Sequence, residues 1–146
     1  MDQQTTRPLI GKTFPQVVTP IIKHAKKSID IVVFDWRWYP DQIGSAIQKF
    51  NNAIVDCYKR GIRVRVLTNS KQTQKLLSGL GIKTKRLHSR KLLHTKLMLI
   101  DNKVAILGSH NYTMNAFTIN FEVSIILVDP PTIERLNQYF LNLWSL

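Results

Sequence analysis

The segment His94–Asn111, HTKLMLIDNKVAILGSHN, concentrates the reactive side chains of this 146-residue chain. On an extended strand alternate residues face the same way, so His94 and Lys96 are expected to project side by side ahead of the apolar run Leu97–Ile100. An imidazole can attack phosphorus or carry a proton. An ammonium beside it can hold the non-bridging oxygens whose charge grows in the transition state. Further on, Ser109 and Asn111 again lie two apart and offer neutral hydrogen-bond donors, while Gly108 lets the backbone come close to a ligand. These types suit a phosphate ester. A His-x-Lys pair alone is common on surface strands, so the reading rests on the whole spaced set.

The charge distribution agrees with an anionic substrate. Lys and Arg number 21 against 9 Asp and Glu, a net charge of +12 with a pI near 10.2. Between Asp56 and Asp101 no acid occurs, whereas twelve bases do, from Lys59 to Lys96. Such a block binds polyanions by releasing their counterions. Nucleic acid is the expected partner, with Lys83, Lys85, Arg86, His88, Arg90 and Lys91 as candidate phosphate contacts. An anionic membrane surface and a merely solubilising face are the alternatives. Trp38, with Trp36 and Tyr39, flanks the end of the first expected strand, where an aromatic ring either stacks on a base or packs in the core.

The spacing His94-x-Lys96, four residues, Asp101, six residues, Gly108-Ser109-x-Asn111 is the HxK(x)4D(x)6GSxN signature, and in it the chain resembles the phospholipase D superfamily. Asn111-Tyr112-Thr113 followed by Asn120-Phe121-Glu122, with the stretches Ala25–Phe34 and Lys59–Val66, resembles the small bacterial Nuc-type endonuclease branch. The likeness covers roughly residues 15–130, and the stretch Arg37-Trp38-Tyr39-Pro40 does not match the family pattern. The resemblance implies that His94 is a nucleophile forming a covalent phosphohistidine. A second His, from a second copy of the motif, then protonates the leaving oxygen and activates water. Lys96 and Asn111 hold the phosphate, Ser109 stands beside them as a candidate site residue, and neither metal nor cofactor is needed.

The resemblance makes Glu122 the acid that orients His94, since a carboxylate on one ring nitrogen fixes the tautomer; the alternative is that this carboxylate, in an apolar strand, takes another basic partner. Asp101 either joins the site or only shapes the turn it sits in. One copy of the motif per chain implies a homodimer with a shared active site. The expected function is a metal-independent endonuclease with little sequence preference, DNA ahead of RNA. A phospholipid hydrolase and a non-catalytic basic nucleic-acid-binding protein are the rivals.

Positioning these residues requires a scaffold. Helical spacing of apolar residues marks Phe14–Ser28, Asp41–Arg60, Lys71–Ser78 and Thr132–Trp144,. Short β-branched or alternating runs mark strands at Ile29–Trp36, Ile62–Thr68, Ile82–Leu87, Leu93–Ile100, Lys103–Leu107 and Phe121–Val128, with Asp101-Asn102 as a tight turn,. Strands alternating with helices predict an α/β fold, a mixed β-sheet flanked by helices on both faces, in a single domain over 1–146,. Residues 1–13 are expected to form a flexible extension. His24 reads as solvated, His110 as lining the pocket mouth, and Cys57 as a small buried hydrophobe. The single cysteine excludes an internal disulfide. Apolar runs of only a few residues, as at Ile125–Val128, predict no membrane insertion, and the polar start Met1-Asp2-Gln3-Gln4 predicts a cytoplasmic protein,.

Overall fold

The computed structural model describes residues 6–87 and 89–146; the expected phosphate contact His88 lies outside them. In chain order the elements are β1 (Thr6–Ile10), α1 (Thr13–Lys23), β2 (Ser28–Val33), α2 (Ala46–Lys59), β3 (Arg63–Thr68), α3 (Lys71–Gly79) and β4 (Lys83–Lys85). Then follow β5 (Lys96–Ile100), β6 (Val104–Gly108), α4 (Met114–Thr118), β7 (Val123–Leu127) and α5 (Pro130–Trp144). The strands form one sheet in the order β1-β7-β6-β5-β2-β3-β4. β2, β3 and β4 run parallel, and the remaining pairings are antiparallel. This is the expected α/β architecture.

Strand β2 is buried along its whole length, because helices cover both faces of the sheet. Ile29, Ile31 and Val33 enter a core with Phe14, Val18 and Ile22 of α1, Ile47, Phe50 and Ile54 of α2, and Phe117 of α4. Val32 turns the other way, into a second core with Leu67, Leu97, Leu99, and Ile133 and Phe140 of α5. Asp30 is almost wholly buried, and a buried carboxylate needs partners. Arg65, opposite it on β3, supplies them with bonds of 2.8 and 2.9 Å. The same guanidinium lies 5.1 Å from the Phe140 ring and 5.8 Å from that of Trp144, which fastens α5 to the sheet.

Several boundaries differ from expectation. Residues 6–10 are an edge strand paired with β7, from Thr6↔Leu127 to Ile10↔Val123, and not a flexible extension. Only Leu9 of that strand is buried, so local patterning carries no sign of it. Pro8 is tolerated because the strand is an edge. Helix α2 starts at Ala46, where the Ser45 hydroxyl caps the Gln48 N–H at 3.2 Å, so the residues from Asp41 precede it and Ile43 is exposed,. Helix α1 ends at Lys23, short of Ser28. Helix α4 was not expected; Thr113 caps it through the Ala116 N–H at 3.2 Å. Asp101 and Asn102 form the tight turn, both at positive φ (57° and 52°), with Lys103 N–H bonded to the Ile100 carbonyl at 3.0 Å,.

Candidate active site

The site gathers where β2 ends, β5 begins and β6 ends. Lys96 opens β5, opposite Val33 of β2. His94 precedes the strand instead of lying on it, yet the two side chains meet: Lys96 Nζ is 3.2 Å from His94 Nδ1 and 3.3 Å from Nε2. Phe34 seats both, its ring centroid 5.2 Å from that of His94 and 5.8 Å from the ammonium. Burial lowers the Lys96 pKa from the ordinary lysine value, and the charge of nearby Glu122 opposes the shift.

Gly108 is required for packing. A Cβ there would stand 2.3 Å from Ser124 Cα, so β7, and not a ligand, takes the space that the missing side chain leaves. The Ser109 hydroxyl donates to Glu122 Oε1 at 2.5 Å and accepts the Val123 N–H at 3.0 Å. Asn120 Nδ2 donates to the other oxygen of Glu122 at 3.0 Å. Within the chain Glu122 is therefore held by Ser109 and Asn120, and the expected bond to His94 is not formed. The reason is topological: β7 begins at Val123, which leaves Glu122 in the loop against Ser109.

Asn111 Oδ1 accepts the Asp35 N–H at 3.0 Å. Because the backbone group is the donor, this bond fixes the amide orientation and leaves Nδ2 as a donor toward the site. Tyr112 N–H to the Asp35 carbonyl (3.1 Å) and Arg37 N–H to the Tyr112 carbonyl (2.9 Å) lace the loop after β2 to the loop after β6. His110 points inward, not toward a pocket mouth. It is 1% exposed and stacks on Phe14 at 4.4 Å. Its Nε2–H donates to the Gly11 carbonyl at 2.9 Å, so Nδ1 accepts from Ser124 Oγ at 2.7 Å, and burial lowers its pKa. Alternation along an extended loop already required this, since Ser109 and Asn111 face out.

Asp101 is not brought to this cluster. It sits at the opposite end of β5, where its carboxylate accepts the N–H groups of Lys26, Lys27 and Ser28 at 3.0, 2.7 and 3.0 Å. Burial raises its pKa, but the bonds from Ser28, Lys27 and Lys26 outweigh that and leave it below the ordinary carboxylate value. Trp38 is half-buried against the core, 5.8 Å from the fully buried Trp36. Lys83, Arg90 and Lys91 are exposed and Arg86 is half-buried. Lys85 is engaged within the chain: Nζ donates to the Trp144 carbonyl at 2.8 Å and lies 4.4 Å over that ring. Cys57 is buried, and burial raises its thiol pKa.

Two unlike clefts flank the cluster. One, lined by His94, Lys96 and Ser109, is walled by Leu97, Leu107, Leu136 and Tyr139. The other, lined by Asn111 and Glu122, is walled by Asp35, Arg37, Asn115 and Asn120. Phe34, Tyr139 and Arg37 had no local signal, because what recruits them is contact between distant segments. Among the described residues no three His, Cys, Asp or Glu are grouped to hold a metal, and no helix is long and apolar enough to cross a membrane.

Among curated relatives, the chain is 28% identical over 128 residues to the mitochondrial cardiolipin hydrolase of Chlamydomonas reinhardtii, covering 84% of this chain and 53% of that protein. It is 32% identical over 133 residues to phospholipase D Y of Dictyostelium discoideum, covering 77% of this chain and 30% of that protein. The chain thus spans about half the length, or less, of the curated relatives it matches. Among solved structures, it superposes on Nuc of Salmonella typhimurium, a phospholipase D family member, with a TM-score of 0.80 at 20% identity, covering 96% of this chain and 95% of that one. NucT of Helicobacter pylori gives 0.77 at 23% identity with the same coverage. These likenesses show a shared fold. The family model for the cardiolipin synthase, PLD-like domain matches residues 18–144, nearly the whole chain, and with that match the protein belongs to the phospholipase D-like family.

Proposed function

We propose that this protein is a phosphodiesterase that cleaves nucleic acid through a covalent phosphohistidine at His94. The observation that carries the reading is that the hairpin of β5 and β6 brings His94 and Lys96 at its start, and Ser109 and Asn111 at its end, to one end of the sheet. A ring nitrogen of His94 attacks phosphorus and the P–O bond to the leaving group breaks. Lys96 and the Asn111 amide hold the non-bridging oxygens as their charge grows. A second imidazole protonates the leaving oxygen, then takes a proton from water as that water attacks phosphorus and breaks the P–N bond. The acid-free run of twelve bases from Lys59 to Lys96 supports a polyanionic substrate,.

One chain holds one such imidazole, so the second comes from a second copy in a homodimer. A surface beside the site suits that partner: Ile10 (65% exposed) and Val123 (54%) line one hollow with a fully exposed Phe121, adjoining Ser109 and Glu122. Exposed apolar patches of this kind mark association surfaces.

A second reading is phospholipid cleavage, favoured by the relatives named cardiolipin hydrolase and phospholipase D. Incubating wild type and His94→Ala with DNA, RNA and cardiolipin vesicles in excess EDTA separates the two. His94-dependent nucleic-acid cleavage is the expected result. Lipid turnover without it would transfer the function to the second reading.

A further inference from the structure

A phosphate diester bound between His94, Lys96 and Asn111 has two substituents, and the two clefts that receive them differ in kind. We propose that the apolar cleft is a nucleobase subsite, in which the base next to the scissile phosphate lies against the ring of Tyr139, and that the enzyme therefore selects unpaired strands. This rests on the nucleic-acid reading above.

Tyr139 is 40% exposed. Its hydroxyl is bonded to Thr95 Oγ1 at 2.6 Å. Thr95 lies between His94 and Lys96, so the bond fixes the tyrosine relative to the reacting pair. The helix carrying it is itself fastened, by Arg65 against Phe140 and Trp144 and by Lys85 on Trp144. Leu97, Leu107 and Leu136 supply the rest of the wall. A sugar-phosphate placed there would lose hydration and gain no polar partner. A flat heteroaromatic ring loses little and gains a stacking face, whichever base it is. That tolerance agrees with little sequence preference. A base in a duplex is already stacked and paired, and extruding it costs free energy that a single strand does not incur.

The test uses a short oligonucleotide with one cleavable phosphodiester, single-stranded or annealed, and with each flanking nucleotide in turn intact or abasic. Wild type should cleave the single strand at least about tenfold faster than the duplex. Tyr139→Ala should lower kcat/KM on the intact strand by roughly tenfold to a hundredfold, chiefly through KM. Tyr139→Phe, which keeps the ring, should retain most of the activity. One abasic strand should lower the wild-type rate by a similar factor, and Tyr139→Ala should then add little.

Equal rates on strand and duplex would overturn the proposal. So would a Tyr139→Ala loss that persists undiminished on both abasic strands, or no loss at all. Thermal melting checks folding, and Tyr139→Leu repeats the test if the alanine variant is unstable. Wild type that cleaves no nucleic acid but turns over cardiolipin vesicles would remove the nucleic-acid reading itself. A Tyr139 effect on that lipid turnover would assign the cleft to an acyl chain and overturn the base subsite.

Discussion

The Ser109 hydroxyl donates to Glu122 while accepting the Val123 N–H, so one oxygen joins the end of β6 to the start of β7. Ser109 and Glu122 should then act as one unit. Ser109→Ala and Glu122→Gln should each lower kcat by about tenfold or more with little change in KM. The double variant should be scarcely worse than the worse single, as for groups that work together. Steady-state kinetics on all four proteins checks this; multiplicative losses would show two independent roles.

The proposal that two copies of His94 complete one site makes a prediction about mixtures. His94→Ala chains unfolded and refolded together with wild type give mixed dimers holding one imidazole. Activity should follow the square of the wild-type fraction. A linear dependence would mean that each chain works alone. Lys96→Met should lower kcat by on the order of a hundredfold to a thousandfold, the usual cost of losing one group that stabilises developing oxyanion charge.

Asp101 should govern stability and not catalysis. Asp101→Ala leaves the Lys26, Lys27 and Ser28 N–H groups without their acceptor and places alanine at φ 57°. A loss of about 1–3 kcal/mol is expected from the orphaned donors, with kcat unchanged. The folded pKa of this carboxylate is depressed, so its contribution is present above the ordinary value of 3.8 and is lost as pH falls through the lower folded value,. Denaturant melts of the variant should lack that acid-side decline.

His110 should contribute a separate and milder pH dependence. Its folded pKa is lowered by burial from 6.5, so the unfolded chain binds the proton more readily. Stability is full above about that pH and declines as pH falls below it toward the folded value,. Thermal melting between neutral and mildly acidic pH checks this: the slope should be shallower in His110→Gln, which is expected to be less stable at neutral pH.

Gly108→Ala should fail to fold stably. Its new methyl would meet the backbone of Ser124, which has no flexible end to give way. Soluble yield and the melting transition measure this, and a variant as stable as wild type would show that β7 can retreat.

The reactive set was legible because His94, Lys96, Ser109 and Asn111 sit within one stretch of chain whose spacing survives folding. Strand β2 was legible because burial on both faces leaves an almost uninterrupted apolar run, and β3 because Arg63 and Arg65 alternate with buried Val64 and Val66,. What escaped notice was made by distant partners. β1 is a strand only because β7 lies beside it. Glu122 turns to Ser109 because β7 starts one residue after it. Tyr139 reaches the cleft because α5 crosses the far face of the sheet, and as a helical residue it reads equally well as core. Asp101 lies in the same spaced motif, yet the length of β5 carries it to the end of the strand opposite Lys96.

The bond from His110 to the Gly11 carbonyl joins residues 99 apart in sequence, and β1 has no partner until β7 exists. During synthesis the chain must therefore carry its first strand unpaired until residues near Leu127 have left the ribosome. In the loop after β6, Asn111 can meet Asp35 as soon as it emerges, whereas Ser109 is braced only when Glu122 and Val123 follow. The strand that admits β1 to the sheet is thus also the one whose first residue, Val123, holds the Ser109 hydroxyl.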